Sequence, residues 1–283
     1  MYQKAMNQLG LDSETLPISG VSKETIHKAK DILRQIRENV DEDNKIAMQG
    51  INADLGALLG IREKISELSS RYYELIPLAM YKNQIAPRLS NLHMIKQRFD
   101  DLEQLSNIEH ASKVLLGALY RQSELHPVDY IHHSLNLIME FIDPTSPEHE
   151  VVETYIKNTS EGHVNFATHR VKIFKIQRKG EAEATEAFSD IGNRRLLFHG
   201  SSLFNFIGIL LQGLRIAPPE APATGALFGK GVYFADMFSK SFAYSQGRFG
   251  SGGGQDSKLL LLTEVALGNQ KKLWRPENVE KLD

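Results

Sequence analysis

Apolar positions in the first part of the chain recur at helical spacing. Ile26, Ala29, Leu33, Ile36 and Val40 line one face of a predicted helix that Ser22 caps and that runs to about Asn39. Val21 and Ile26 stand where a hydrophobic staple would fix the entry of the chain into that helix. A second stripe, Leu58, Ile61, Ile65, Leu68 and Tyr72, stops before Pro77. A third is Leu92, Ile95, Phe99 and Leu102, and a fourth is Ile108, Ala111, Leu115 and Leu119. Short helices separated by Pro- and Asn-containing turns predict a compact bundle whose charged outer faces are solvated.

The period changes after His126-Pro127. Leu135, Leu137, Met139 and Phe141 alternate with their neighbours, as in a strand. Ser146-Pro147-Glu148 offers a cap, a first-turn proline and an acidic first turn for a helix reaching about Asn158. Further strands are predicted over 171–177, 195–199, 231–235 and 258–267, the last dense enough in leucine to be central. Helices are predicted over 202–212, closed by Gly213, and after Asp236 as its cap.

Composition sharpens this division. Of the 21 glycines in 283 residues, six precede residue 161 and fifteen follow, and only Phe99 and Phe141 of the 13 phenylalanines fall in the first part. Glycine and phenylalanine in quantity favour turns, strands and close approach. The sequence therefore predicts an α+β protein, with an all-α helical bundle over 1–125 followed by a mixed β-sheet domain over 126–283. Lys and Arg total 33 against 35 Asp and Glu, a formal charge of −2, which argues against a dedicated nucleic-acid-binding domain. The absence of cysteine removes thiolate zinc sites and cysteine nucleophiles. No apolar run approaches the ~20 residues that span a bilayer, so no membrane partner is expected.

Several motifs fail on spacing. Gly229-Lys230-Gly231 lacks the preceding glycine and following hydroxyl of a phosphate loop, and no G-x-G-x-x-G follows a strand. His149-Glu150 begins like a zinc-protease helix, but position 153 is Glu. His126, His132 and His133 have no identifiable third partner, and no metal is expected.

One cluster has a shared chemical logic. His199-Gly200-Ser201 ends a predicted strand, Tyr233 lies in the next one, and Lys240, Ser241 and Tyr244 lie on the helix after that. The Gly200 backbone offers one N–H donor and one C=O acceptor to whatever approaches it. That pair complements a planar carboxamide, while two tyrosine rings can sandwich a flat heteroaromatic and Ser241 can add a hydrogen bond. The plainer alternative is that His199 caps a strand and both tyrosines are half-buried packing residues.

The segment NRRLLFHGSSLFNFIGILLQGLRIAPPEAPATGALFGKGVYFADMFSKSFAYS closely resembles the catalytic domain of the poly(ADP-ribose) polymerases, in particular the DNA-damage-responsive subgroup. The likeness continues through PEHEVVETYIKNT and VKIFKIQRKGE. It enters the bundle at SRYYELIP and QRFDDLEQLSNIEHASKVLL, which resemble the family's helical regulatory domain, and it spans about Tyr2 to Asn269. The resemblance implies transfer of ADP-ribose from NAD, the substrate, to protein acceptors, histones and the enzyme itself among them, and then onto ADP-ribose, with release of nicotinamide. It implies that the Gly200 backbone and the Ser241 hydroxyl hold the nicotinamide carboxamide between Tyr244 and Tyr233. It further implies that His199 bonds the adenosine ribose with Ser201 nearby, that Gly208 and Arg215 contact the adenosine portion, and that Lys240 assists at the reaction centre. His199, Tyr233 and Lys240 are the implied catalytic residues, and Ala217 to Lys230 corresponds to the donor loop. Nuclear residence, DNA contact only through domains outside this chain, and a helical domain that restrains substrate access until a signal arrives are implied in the same way.

The chain departs from the family pattern at its end. The family's catalytic glutamate follows a late strand, whereas this sequence stops soon after LTEVALGN, and Glu264 matches an earlier glutamate. Both ends look cut, so the chain is expected to be a fragment of negligible transferase activity and poor stability, with KLLLLTEVAL exposing an edge. Ala226 stands where relatives often carry an aromatic, and the loop 248–257 is rich in Gly and Ser. Two alternatives stay open: a mono-ADP-ribosyltransferase, and an inactive truncated NAD-binding or regulatory module.

Overall fold

The computed structural model describes residues 6–7, 9–17, 20–82, 84–120, 126–160, 171–216, 228–245 and 258–275. Residues 217–227 of the donor loop, Ala226 among them, and the whole of 248–257 lie outside that set. The described residues form two compact units. One comprises the chain up to Lys113 with Ile216, 228–231 and Arg275; the other comprises Val114–Arg215 and Val232–Trp274.

The first unit is helical. Helix α1 (Lys23–Ala47) begins where Ser22 accepts a hydrogen bond from the Thr25 N–H, and Val21 and Ile26 are both buried beside that cap. Ile26, Ala29, Leu33, Ile36 and Val40 are all buried, as the stripe predicts, but the helix runs on to Ala47. Helix α2 (Leu55–Leu75) is capped by Asp54 and buries Leu58, Ile65, Leu68 and Tyr72. In α2 the Ser69 hydroxyl donates to the Ile65 carbonyl at 2.6 Å and accepts the Leu89 N–H at 3.0 Å, tying the 85–91 segment to the helix.

The predicted third and fourth helices are one continuous element, α3 (Leu92–Tyr120). Leu105, fully buried, fills the gap between their stripes, so that Ile95, Phe99, Leu102, Leu105, Ile108 and Ala111 form an unbroken buried seam. An internal Asn costs a helix less than ~1 kcal/mol, and burial of two further apolar turns outweighs what Asn107 suggested locally.

Tyr72 is 0% exposed, and among the described residues its hydroxyl has no hydrogen-bond partner. Burial pushes its phenol well above the ordinary tyrosine pKa of 10.0. An unmet buried hydroxyl costs stability, so Tyr72→Phe is expected to raise the thermal midpoint by ~2–4 °C, corresponding to about 1 kcal/mol. A lowered midpoint would show that the hydroxyl is satisfied in solution. The raised pKa adds a sign. The folded state keeps the phenol proton that the unfolded chain gives up above pH 10.0, so wild-type stability falls there as pH rises, and the variant loses that part of the fall.

The second unit is α+β. After α4 (Pro127–Ser134) come β1 (Leu137–Phe141), α5 (Pro147–Asn158), β2 (Phe174–Arg178), α6 (Glu181–Glu186), β3 (Arg194–Gly200), α7 (Leu203–Gln212), α8 (Phe238–Tyr244) and β4 (Leu260–Ala266). Helices α4 and α6 lack an apolar stripe and were not predicted from the pattern. The expected mixed sheet is, among the described residues, two antiparallel pairs: β1 with β2, and β3 with β4. Leu137 faces Arg178 at one end of the first pair; Arg194 faces Ala266 and Gly200 faces Leu260 at the ends of the second. Among the described residues, the other edge of β3 is met by a bridge only at Phe198, by Ala235. The core of this unit is Ile156, Phe198 and Phe238, with Val152, Tyr155, Val171, Phe242, Leu260 and Leu262 packed around it.

Candidate active site

The site starts from Phe198, 2% exposed, which anchors the end of β3. Its ring stacks on Tyr155 at 4.8 Å and meets Phe238 edge-on at 5.6 Å. Its N–H donates to the Ala235 carbonyl at 2.8 Å, and its carbonyl accepts the Ala235 N–H at 2.9 Å. The predicted strand over 231–235 is thus reduced to one bridged residue, Ala235, and Tyr233 lies outside any strand. Met237, not Asp236, is the N-cap of α8, and it makes no side-chain cap bond.

This short pairing decides what Gly200 can do. Backbone groups alternate in direction along a strand, so Gly200 points its N–H and C=O the same way as Phe198, away from β4. Tyr233 would be its partner there, but the Tyr233 carbonyl is taken by His199 Nδ1 at 2.9 Å. A carbonyl only accepts, so His199 carries a proton on Nδ1. The Gly200 donor and acceptor have no partner on this side among the described residues.

Glycine at 200 has a second cause. A Cβ there would lie 1.8 Å from the Ser241 carbonyl oxygen and 2.7 Å from its carbon. The sequence pointed to close approach by a ligand; the close approach is first of all that of α8. Ser241, 3% exposed, then donates its hydroxyl to the Phe198 carbonyl at 3.0 Å. The strand end and the first turns of α8 therefore meet at Gly200 and Ser241.

Helix α8 sorts its side chains by period. Phe238 and Ser241 are buried, while Lys240 and Tyr244, one turn apart, share an exposed face. Lys240 makes no ion pair among the described residues. Tyr244 is 66% exposed and Tyr233 44%.

Ser201 receives a hydrogen bond from Asn205 Nδ2 at 2.9 Å, one turn into α7. Gly208 lies inside α7 and is half-buried. Helix α7 ends at Gly213 (φ +81°), where a Cβ would meet the Arg178 guanidinium at 2.5 Å. Arg215 follows, exposed and bonded to Gln212 Oε1. Gly208 and Arg215 have no hydrogen bond to the His199–Ser241 cluster among the described residues. Glu264 sits opposite Leu196 and pairs with Arg194 at 2.6 Å, away from Gly200. Among the described residues, no group of three or more His, Asp or Glu is placed to hold a metal ion, and no helix is long and apolar enough to cross a membrane.

Sequence reasoning missed Asn205 and Tyr155. Asn205 stands four residues after Ser201, a spacing that brings the two together once α7 is assigned. Tyr155 reads in sequence as one aromatic on an amphipathic helix, and nothing local marks its hydroxyl.

Comparison with known proteins gives the same assignment across the whole chain. Residues 1–132 match the poly(ADP-ribose) polymerase regulatory domain, and residues 146–283 match the poly(ADP-ribose) polymerase catalytic domain. The chain is similar to poly [ADP-ribose] polymerase 1 of Danio rerio, 38% identical over 283 residues, which covers 99% of this chain and 26% of that protein. The same figures hold for poly [ADP-ribose] polymerase 1 of Gallus gallus. Poly [ADP-ribose] polymerase 2 of Arabidopsis thaliana is 36% identical over 275 residues, covering 96% of this chain and 40% of that protein. The chain thus spans between about a quarter and two fifths of the length of these curated relatives. With the regulatory and catalytic domain matches following one another along it, the chain belongs to the poly(ADP-ribose) polymerase family.

Proposed function

We propose that this chain serves NAD-dependent ADP-ribosyl transfer, with nicotinamide as leaving group and poly(ADP-ribose) on protein acceptors as product. The observation that carries this reading is the open Gly200 backbone pair beside Ser241. A carboxamide laid there accepts from the Gly200 N–H and donates to the Gly200 C=O, with Tyr233 and Tyr244 on its flanks. Fixing the carboxamide holds the ring and the glycosidic bond in one reactive orientation. The bond between nicotinamide N1 and ribose C1′ then breaks, its electron pair leaving with the ring. The acceptor's nucleophile bonds C1′ and releases a proton. His199 Nε2 suits a ribose hydroxyl, and Lys240 lies on the same exposed face as Tyr244. Metal ions have no role in this scheme. A role in the DNA damage response, nuclear residence, acceptors that include histones and the protein itself, and DNA contact through segments outside this sequence are proposed on the resemblance alone.

The test is isothermal titration of the chain with nicotinamide and with nicotinate. Nicotinamide is expected to bind saturably at one site. Nicotinate lacks the N–H donor and sets a negative charge against the Gly200 carbonyl, so it is expected to bind at least ~100-fold more weakly. Equal affinities, or no saturable binding of nicotinamide, would overturn the reading.

A further inference from the structure

Tyr155 reaches the site from α5 without lining it. Its ring stacks on Phe198, and its hydroxyl lies 3.0 Å from the Leu196 carbonyl and 3.3 Å from the Asp236 carbonyl. Leu196 belongs to β3, whereas Asp236 belongs to the segment that carries Tyr233. A single phenolic proton therefore serves both backbone segments.

The place of this contact matters. An antiparallel ladder centred on Phe198–Ala235 would continue with residues 196 and 237 at one end and 200 and 233 at the other. Neither pair forms a bridge. At one end the chain turns into α8 at Met237, and the Tyr155 hydroxyl takes up the Leu196 carbonyl that a continued ladder would have paired, while also reaching the Asp236 carbonyl. At the other end His199 Nδ1 satisfies the Tyr233 carbonyl. The one bridged pair is thus clipped by a side chain on each side, and the second clip is what leaves Gly200 open.

We infer that Tyr155 is a positioning residue for the nicotinamide site. By joining the Leu196 and Asp236 carbonyls it sets the spacing between the backbone that carries His199 and Gly200 and the backbone that carries Tyr233. This rests on the reading of Gly200 as the carboxamide site. Helix α5 also accepts the Ser239 N–H at the Thr159 carbonyl, 3.2 Å away, so the same helix holds the start of α8.

Tyr155→Phe keeps the ring on Phe198 and removes only the clip. Nicotinamide is expected to bind about 5- to 10-fold more weakly to the variant, the size of one neutral hydrogen bond. Independently of any ligand, the His199 Nδ1–H resonance in long-range ¹H–¹⁵N spectra, assigned by its loss in His199→Gln, is expected to shift or broaden. Ile156→Val, in the same helix and core, serves as a stability control and is expected to leave affinity and resonance unchanged. If Tyr155→Phe behaves like Ile156→Val in the resonance, the positioning role is overturned, whether or not nicotinamide binds. If the wild type binds no nicotinamide while the resonance shift is seen, the functional reading fails and the clip stands.

Discussion

Gly200→Ala is expected to weaken nicotinamide binding severely and to lower stability far more than a methyl added at Gly192. The added Cβ would stand 1.8 Å from the Ser241 carbonyl oxygen, inside the distance any real contact allows. Overpacking by one methyl typically costs ~1–3 kcal/mol because a neighbouring side chain can rotate aside. Here the neighbour is backbone, so β3 or α8 must move by more than 1 Å. Either movement separates the Gly200 amide from the Ser241 hydroxyl. Affinity for nicotinamide should fall about 30- to 160-fold, matching loss of two coordinated hydrogen bonds at ~1–1.5 kcal/mol each. Gly192→Ala is the matched control, since a Cβ there meets nothing within 4 Å. Unchanged affinity and melting in Gly200→Ala would mean that the strand end and α8 do not meet as described.

Phe198→Ala carries the second large effect, on stability. Removing a buried phenylalanine costs ~3–5 kcal/mol, a large share of the ~5–15 kcal/mol that holds a domain together. At Phe198 the cavity would open beneath both the Tyr155 and the Phe238 rings, which α5 and α8 hold apart by their own backbone bonds. Collapse is therefore limited, and the cost should lie at the upper end of that range. Urea unfolding followed through near-ultraviolet tyrosine dichroism reads this directly. A loss below ~2 kcal/mol would show that the core of the second unit is centred elsewhere, whereas Phe198→Leu should recover most of the difference.

The parts of the fold that the sequence announced are those where one periodic signal decides. In α1 the stripe from Ile26 to Val40 is the buried face itself, and Ser22 is the cap. At α3 local and long-range signals disagreed: Asn107 suggested a turn, while Leu105 supplied the missing step of a seam that only tertiary burial makes worthwhile. Helix α6 (EAEATE) has no apolar stripe to display. The same contrast holds in the site. His199-Gly200-Ser201 and Lys240-Ser241-Tyr244 stood out because each is a short local cluster of chemistry-bearing residues. The bond from His199 to the Tyr233 carbonyl spans 34 residues, and that from Tyr155 to the Asp236 carbonyl spans 81. The first replaces a ladder bond that the apolar run over 231–235 led one to expect, and no local pattern encodes which side chain will interrupt a strand.

The Phe198 carbonyl accepts two hydrogen bonds, one from the Ala235 amide and one from the Ser241 hydroxyl. Only the second is free to turn, because a hydroxyl swings about a single C–O bond while the amide is fixed in the backbone. When the hydroxyl turns toward an arriving carboxamide, the carbonyl it leaves still has the Ala235 amide. No buried group is stranded and no backbone has to move. Hydroxyl rotation belongs to the picosecond-to-nanosecond range of side-chain motion. If a carboxamide binds as proposed, rotation of this hydroxyl adds no slow step of its own to its capture, and differences in affinity among carboxamides should surface in how fast they leave.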